Sequence, residues 1–347
     1  MGLDNSPKYP HPLGKAMAKK TYKGNKNTKM TTRRRKAPPP AEVTLKYNLP
    51  GDGSDIYIDL AKDLSQINRR LYHQGKCYQV SHVTVRQGDQ SATTGLATTV
   101  KTLPYTWVAA QAYMKARLNW MQQQQRVRKE SGQEAIKPAY EDFKVFMDAG
   151  HRAAGTVSQI DGAGNPVPAG EWDYSKLVYA DQSVNPEVVR EPYLHMVGND
   201  VSNTDIGLIN AYQESRATID GDQPNVPATA ADNIYALITS GQDEAMSEEI
   251  INNMIIDNDS PPYEIFLYPG GAVSYPTNVD KCYLQTSGSN PVVHSQSFIA
   301  MCGLVRVYSQ GKNLTDGSNV TKSGILQIHL TPGPSKGILS MNVGDLV

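Results

Sequence analysis

Charge is divided along this chain, and the division decides where a core can form. Residues 1–36 carry eleven basic side chains: Lys8, Lys15, Lys19, Lys20, Lys23, Lys26, Lys29, Arg33, Arg34, Arg35 and Lys36. They carry one acid, Asp4, so the segment holds a net +10. The rest holds 23 bases against 33 acids, a net −10, and the 347-residue chain is neutral only as their sum. Leu3 and Leu13 are the large aliphatics of the basic stretch. Such a stretch buries too little apolar surface to offset its ordering entropy. Residues 1–40 are therefore expected to be a disordered basic arm, stiffened at its exit by Pro38, Pro39 and Pro40. The folded domain is expected over 41–347.

That domain reads as mainly β. Gly (28) and Pro (22) are plentiful enough for a chain of many turns. A strand is expected over Val43–Leu49, with a turn at Gly51-Asp52-Gly53. Ile56, Ile58 and Leu60 then alternate with polar residues, as in a half-buried strand. Asp63–Leu71 suggests a short helix. Tyr78–Arg86 is strand-like, but Tyr78 and Val80 share one parity while Val83 and Val85 share the other. A one-residue irregularity at Ser81 reconciles them. Leu96–Leu103, Lys176–Tyr179, Tyr193–Val197, Glu264–Tyr268, Val292–Tyr308 and Gly324–Leu330 are further strand candidates, the 292–308 run being one strand or two joined at Gly303.

Helices are expected near 106–130, 139–147 and 244–257. In the first, Trp107, Ala110, Met114, Leu118 and Met121 form an apolar stripe, and Gly132 marks the stop. In the second, Tyr140, Phe143, Phe146 and Met147 lie to one side. In the third, Met246, Ile250, Met254 and Ile255 supply the apolar face. Residues 150–232 are loop-rich.

Three cysteines, Cys77, Cys282 and Cys302, stand far apart in sequence. The odd count argues against a disulfide framework and suits a reducing compartment. No apolar run reaches the ~18 residues of a membrane span. The first residues lack the apolar core of a secretory signal. Neither secretion nor stable membrane association is expected.

The basic arm is the one specific constellation. Lys and Arg neutralise phosphates and release their counterions, whatever the base sequence. Tyr9 and Tyr22 could stack on bases. The eleven basic residues are therefore the candidate nucleic-acid-binding set, with a solubilising tail as the bland alternative. Arg33–Lys36 also suits a nuclear import signal. Met1–Ser6 matches the myristoylation pattern, but Pro7 stiffens the peptide a transferase would grip. His73 and Cys77, four apart, could share a helix face as metal ligands, yet nothing nearby completes a set. Asp257, Asp259 and Glu264 read more readily as a solvated acidic loop than as a calcium site. No metal and no cofactor are expected. The nucleophile elbow, P-loop, dinucleotide and zinc-protease motifs are absent, so an enzyme is not expected.

A basic arm, a proline hinge and a β-rich remainder resemble the capsid proteins of small eukaryotic viruses. LPYTWVAAQAYMKARLNWMQQQQ (103–125) and YEDFKVFMDAGHR (140–152) are similar to segments of capsid proteins of small circular single-stranded DNA viruses that encode a replication initiator. The resemblance implies an eight-stranded antiparallel jelly-roll sandwich with helical insertions in its loops. It implies self-assembly into an icosahedral T=1 shell of about sixty copies. The arm would face packaged single-stranded DNA, in the virion and in the host nucleus during assembly. An RNA-virus coat of the same fold, or a cellular nucleic-acid-binding protein, stays open, because an arm that reads only phosphates does not tell DNA from RNA.

Overall fold

The computed structural model describes residues 40–89, 91–135, 141–168, 170–181, 188–198, 204–216 and 277–346. The chain divides into two units, Met1–Ala37 and Pro38–Val347. The first unit, the helix expected at 244–257 and the strand expected at Glu264–Tyr268 lie outside the described residues.

β1 (Thr44–Leu49) alternates cleanly: Leu45, Tyr47 and Leu49 are buried, Lys46 and Asn48 exposed. The chain reverses at Gly51, where φ is 63° and an added Cβ would collide with the Lys322 carbonyl. Only glycine fits there. β2 (Asp52–Asp59) ends in four consecutive buried residues rather than half-buried alternation. Tyr57 is covered because its ring stacks on His151 at 5.0 Å. Leu60, expected to continue the strand, instead opens α1 (Leu60–Asn68). The switch is made by Asp59, whose Oδ1 accepts from the Ala61 and Lys62 N–H groups as an N-cap.

β3 (Lys76–Gln87) and β4 (Thr94–Thr102) precede α2 (Trp107–Glu130), capped by Thr106 and stopped beside Gly132 at φ 69°. The helix lies where the periodicity put it, and the expected stripe meets the core at Trp107, Ala110 and Met114 but not at Leu118 and Met121. Ala109, Ala112, Tyr113 and Ala116 are enclosed, while Leu118 is 53% and Met121 43% exposed. Small side chains let the helix axis approach the core, and Tyr113 fills the remaining gap, donating its hydroxyl to the Phe143 carbonyl (3.0 Å).

The helix expected at 139–147 is not formed over its described part, 141–147. These residues are buried and irregular or extended because their backbone groups bond sideways. Val145 N–H donates to Gln74 Oε1 (2.7 Å), and Phe146 N–H to the Leu194 carbonyl (2.9 Å). The Lys144 carbonyl accepts from Ser175 N–H (2.8 Å). Groups spent this way cannot form an i→i−4 ladder. Phe143, Val145, Phe146 and Met147 are all buried, so their spacing does not mark one face of a helix.

α3 (Ala149–Ala154), capped by Asp148, follows. The loop-rich stretch then holds β5 (Tyr179–Asp181), β6 (Val188–Arg190), β7 (Tyr193–His195), β8 (Asp205–Gly207) and α4 (Leu208–Arg216). The last third brings β9 (Val279–Gln285), β10 (Val292–His294), β11 (Phe298–Ala300), β12 (Leu304–Asn313), β13 (Asn319–Val320), β14 (Gly324–Leu330), β15 (Pro332–Gly333), β16 (Gly337–Ile338) and β17 (Ser340–Asn342). The 292–308 run is therefore broken, with a 3-10 turn at Met301–Gly303 between β11 and β12.

Two antiparallel sheets dominate. One runs β1-β14-β3-β10, with β11 and β17 also paired to β3. The other runs β13-β12-β4-β9, with β2 also on β12. The irregularity at Ser81 is present: β14 sets His329 opposite His82 and Leu330 opposite Val80, skipping Ser81. Val80 and Val83 thereby both face inward. One buried cluster takes Leu45, Val85 and Ile328 from the first sheet and Ile58, Val100 and Val307 from the second, so their apolar faces meet. A second cluster packs α2 and α4 against Phe143, Val145 and Met147.

Candidate nucleic-acid interface

The candidate residues Lys8, Lys15, Lys19, Lys20, Lys23, Lys26, Lys29, Arg33, Arg34, Arg35 and Lys36 lie outside the described residues, as do Asp257, Asp259 and Glu264. What the structure describes is the surface beginning just beyond the arm. β1 starts eight residues after Lys36 and forms one edge of the first sheet.

The face of that sheet turned away from the core carries three rows, fixed by register. Thr44 lies opposite His329, which lies opposite His82. Lys46 lies opposite Gln327, then Thr84, then His294. Asn48 lies opposite Ile325, then Arg86, then Val292. None of these residues is acidic. Glu42, two residues before β1, turns a carboxylate oxygen onto the Thr44 N–H (3.2 Å). Lys46, Arg86 and His294 are exposed, so two fixed positive charges and an imidazole reach solvent there.

The histidines form a group. His82 stacks on His329 with ring centroids 4.2 Å apart, and His294 meets His82 edge-on at 5.9 Å. Hydroxyls hold the rings: Thr44 Oγ1 is 3.2 Å from His329 Nδ1, Thr84 Oγ1 is 2.9 Å from His294 Nδ1, and Ser81 Oγ is 3.2 Å from His82 Nδ1. Partial burial lowers the pKa of His329, and the neighbouring His82 and His294 lower it further. Acid would place more positive charge on a face that already carries Lys46 and Arg86. The face thus gathers two cations and three imidazoles held by serine and threonine hydroxyls.

His73 and Cys77 do not share a helix. His73 sits in a loop with Nδ1 3.2 Å from Asp142, and Cys77 is buried in β3. Burial pushes the Cys77 thiol up to about 12. Among the described residues no group of three or more His, Cys, Asp or Glu is placed to hold a metal ion, and no helix is long and apolar enough to cross a membrane.

A second polar constellation lies around α1. Asp59 Oδ2 accepts from Gln74 Nε2 (2.8 Å), Trp172 Nε1 (2.9 Å) and the Tyr174 hydroxyl (3.3 Å). Burial raises the Asp59 pKa against the pull of these donors. Asp63 is pushed up to about 7 by burial, opposed by a hydrogen bond from Tyr47. Burial takes His151 down to about 4, with Asp148 opposing. Asp59 spends its oxygens on one helix cap and three side-chain donors, so it ties β2, α1 and the 172–174 segment together.

The sheet-face residues were not picked out by motif, since none is part of one. Alternation in TLKYNL and GILQIHL separates Lys46, Gln327 and His329 from the core residues. Their meeting with His82 and His294 depends on strand register. Comparison with protein-family models, curated proteins and solved structures finds no match for the chain.

Proposed function

We propose that the chain is a structural coat protein whose folded part is a jelly roll. Copies assemble into a closed icosahedral shell of about sixty subunits. The basic arm, residues 8–36, neutralises packaged single-stranded DNA. On this reading the protein works in the virion and passes through the host nucleus, where Arg33–Lys36 would serve for import. It needs no catalytic residue, metal or cofactor.

The observation that carries the reading is the order of pairing. Take β10 and β11 as one interrupted strand, beside β1, β2, β3, β4, β9, β12 and β14. The first strand pairs with the last (β1 with β14), the second with the seventh (β2 with β12). The third pairs with the sixth (β3 with β10 and β11) and the fourth with the fifth (β4 with β9). This is a long antiparallel hairpin folded in half along its length. Rolling it up adds the β14–β3 and β12–β4 pairs and produces two facing sheets. α2 falls in the connection between the fourth and fifth strands of that scheme, where a roll tolerates large insertions.

The charge division supports the second half of the reading. An arm of +10 joined to a remainder of −10 is a polyanion binder tethered to a domain that would itself repel nucleic acid. β1, which starts eight residues after Lys36 in sequence, carries Lys46 on its exposed face. Extended, its 36 residues would reach at most roughly 120 Å.

Electron microscopy of the expressed chain tests the assembly. Uniform closed particles are expected. Monomers or small oligomers across a range of salt and pH would overturn the shell. Removing residues 1–36 should abolish the nucleic-acid content of the particles. Truncated particles that retain the same nucleic acid would remove that role from the arm.

A further inference from the structure

A cavity of 680 Å³ lies at the C-terminal end of α1, between that helix and the 170–173 segment. Lys62 and Lys144 line it, 7% and 8% exposed, and neither ammonium has a carboxylate within 4 Å among the described residues. Lys144 Nζ rests 4.5 Å from the centre of the Trp172 ring, which also lines the cavity. Gln66 lines it too, and neither polar atom of its amide finds a hydrogen-bond partner among the described residues. Arg69 and Arg70 stand at the rim. The carboxylates of the lining belong to Glu171 and Asp173, both exposed. Asp59 and Asp63, outside the lining, feel the charge of Lys62 without forming an ion pair with it. Lysines are almost never buried without a close partner. Two of them without a carboxylate in contact, beside an amide that finds no partner among the described residues, point to an anion in the cavity.

We infer that this cavity is a phosphate-binding pocket, and that its ligand is a phosphate of single-stranded nucleic acid. Lys62 and Lys144 would meet the phosphate oxygens, Arg69 would close over them, and Gln66 would turn its amide to an oxygen. The inference rests on the proposed nucleic-acid role. Arg70 Nη1 lies 3.3 Å from the Pro40 carbonyl. The arm reads phosphates from a tether. The pocket would hold one in place and set where the strand meets the domain.

Trp172 supplies the readout. The full chain is titrated with the 5′-phosphorylated dinucleotide pdTdT, with inorganic phosphate and with thymidine, following tryptophan fluorescence. A saturable change is expected with pdTdT and phosphate and none with thymidine. Trp172→Phe should abolish the change, which separates the pocket from phosphate bound on the arm. Lys144→Met and Lys62→Met should each weaken pdTdT by roughly tenfold or more. Arg69→Glu, at an exposed position that leaves the interior untouched, should weaken it in the same direction. No saturable change in the wild type, or unchanged affinity in Arg69→Glu together with either folded lysine variant, overturns the pocket. A change that appears only on assembly, without pdTdT, would give the pocket to a carboxylate of a neighbouring copy and also overturns it. Retention of long oligothymidylate on filters is measured in parallel. Its absence in the wild type defeats the nucleic-acid role itself. Its persistence alongside a silent Trp172 defeats the pocket alone.

Discussion

The Tyr47 hydroxyl donates to Asp63 Oδ2 at 2.5 Å in the interior, and Asp63 Oδ1 has no partner among the described residues. A strand residue of β1 is thereby joined to a helix residue of α1 through a carboxylate that burial holds near neutrality, at about 7. Tyr47→Phe removes the donor that favours the charged form, so the Asp63 pKa rises further. The folded state already binds this proton more tightly than the unfolded chain, so Asp63 lowers stability as pH rises from 3.8 towards 7. The variant should lose about 2 kcal/mol above neutrality and less at pH 5. Urea denaturation at the two pH values measures the difference.

His151 acts with the opposite sign. Its Nδ1 accepts from the Met147 N–H (3.0 Å), so the ring must stay neutral there, and burial takes its pKa from 6.5 to about 4. Its contribution is complete above pH 6.5 and is lost as pH falls towards 4. His151→Gln should be less stable at pH 7 and show a shallower loss between pH 6.5 and 4 than the wild type. Equal slopes in paired denaturation series would refute the assignment.

The buried face of α2 can be tested by size. Ala116 is fully enclosed and Leu118 is mostly exposed. Ala116→Leu should cost about 2 kcal/mol by overpacking. Leu118→Ser should change stability by no more than about 0.5 kcal/mol. Thermal melts of the two variants in unassembled protein discriminate the faces. The reverse ranking would mean that the stripe through Leu118 and Met121 faces the core.

On the sheet face, Lys46 and Arg86 are expected to contribute to nucleic-acid binding but not to folding. Lys46→Gln with Arg86→Gln should reduce the salt dependence of single-stranded DNA binding by about 0.7 for each phosphate no longer neutralised. Melting temperature should stay unchanged. A salt slope identical to that of the wild type would remove this face from the interface.

Much of the framework was legible in the residues. Alternation located β1 and β14, the parity conflict in YQVSHVTVR located the skipped residue at Ser81, and apolar periodicity with Thr106 and Gly132 bounded α2. The 141–147 segment was not legible. Its apolar residues Phe143, Val145, Phe146 and Met147 are all buried, and apolar residues so closely spaced suit a helix and a buried extended chain equally. The C-terminal part of the α2 stripe, Leu118 and Met121, was misjudged for a related reason. Large apolar residues weigh most in a periodicity, whereas a helix lying close to a core turns alanines inward. The cavity left no sequence signal, because Lys62, Lys144 and Trp172 come from separate segments and each looks like a surface residue alone.

The sequence by itself determined the separation of a +10 arm from a −10 remainder, the mainly β character of that remainder, and which residues of each strand could tolerate the interior. Those properties are local, set by charge, side-chain parity and turn residues within a few positions of one another. Only the tertiary structure decided that β1 pairs with β14 and that His82, His294 and His329 meet on one face. It alone gathered two buried lysines around one cavity. Such meetings join residues up to 285 positions apart, as between Thr44 and His329. They follow from how the two sheets bury their apolar faces against each other, a condition on the whole chain at once, which no short window of sequence contains.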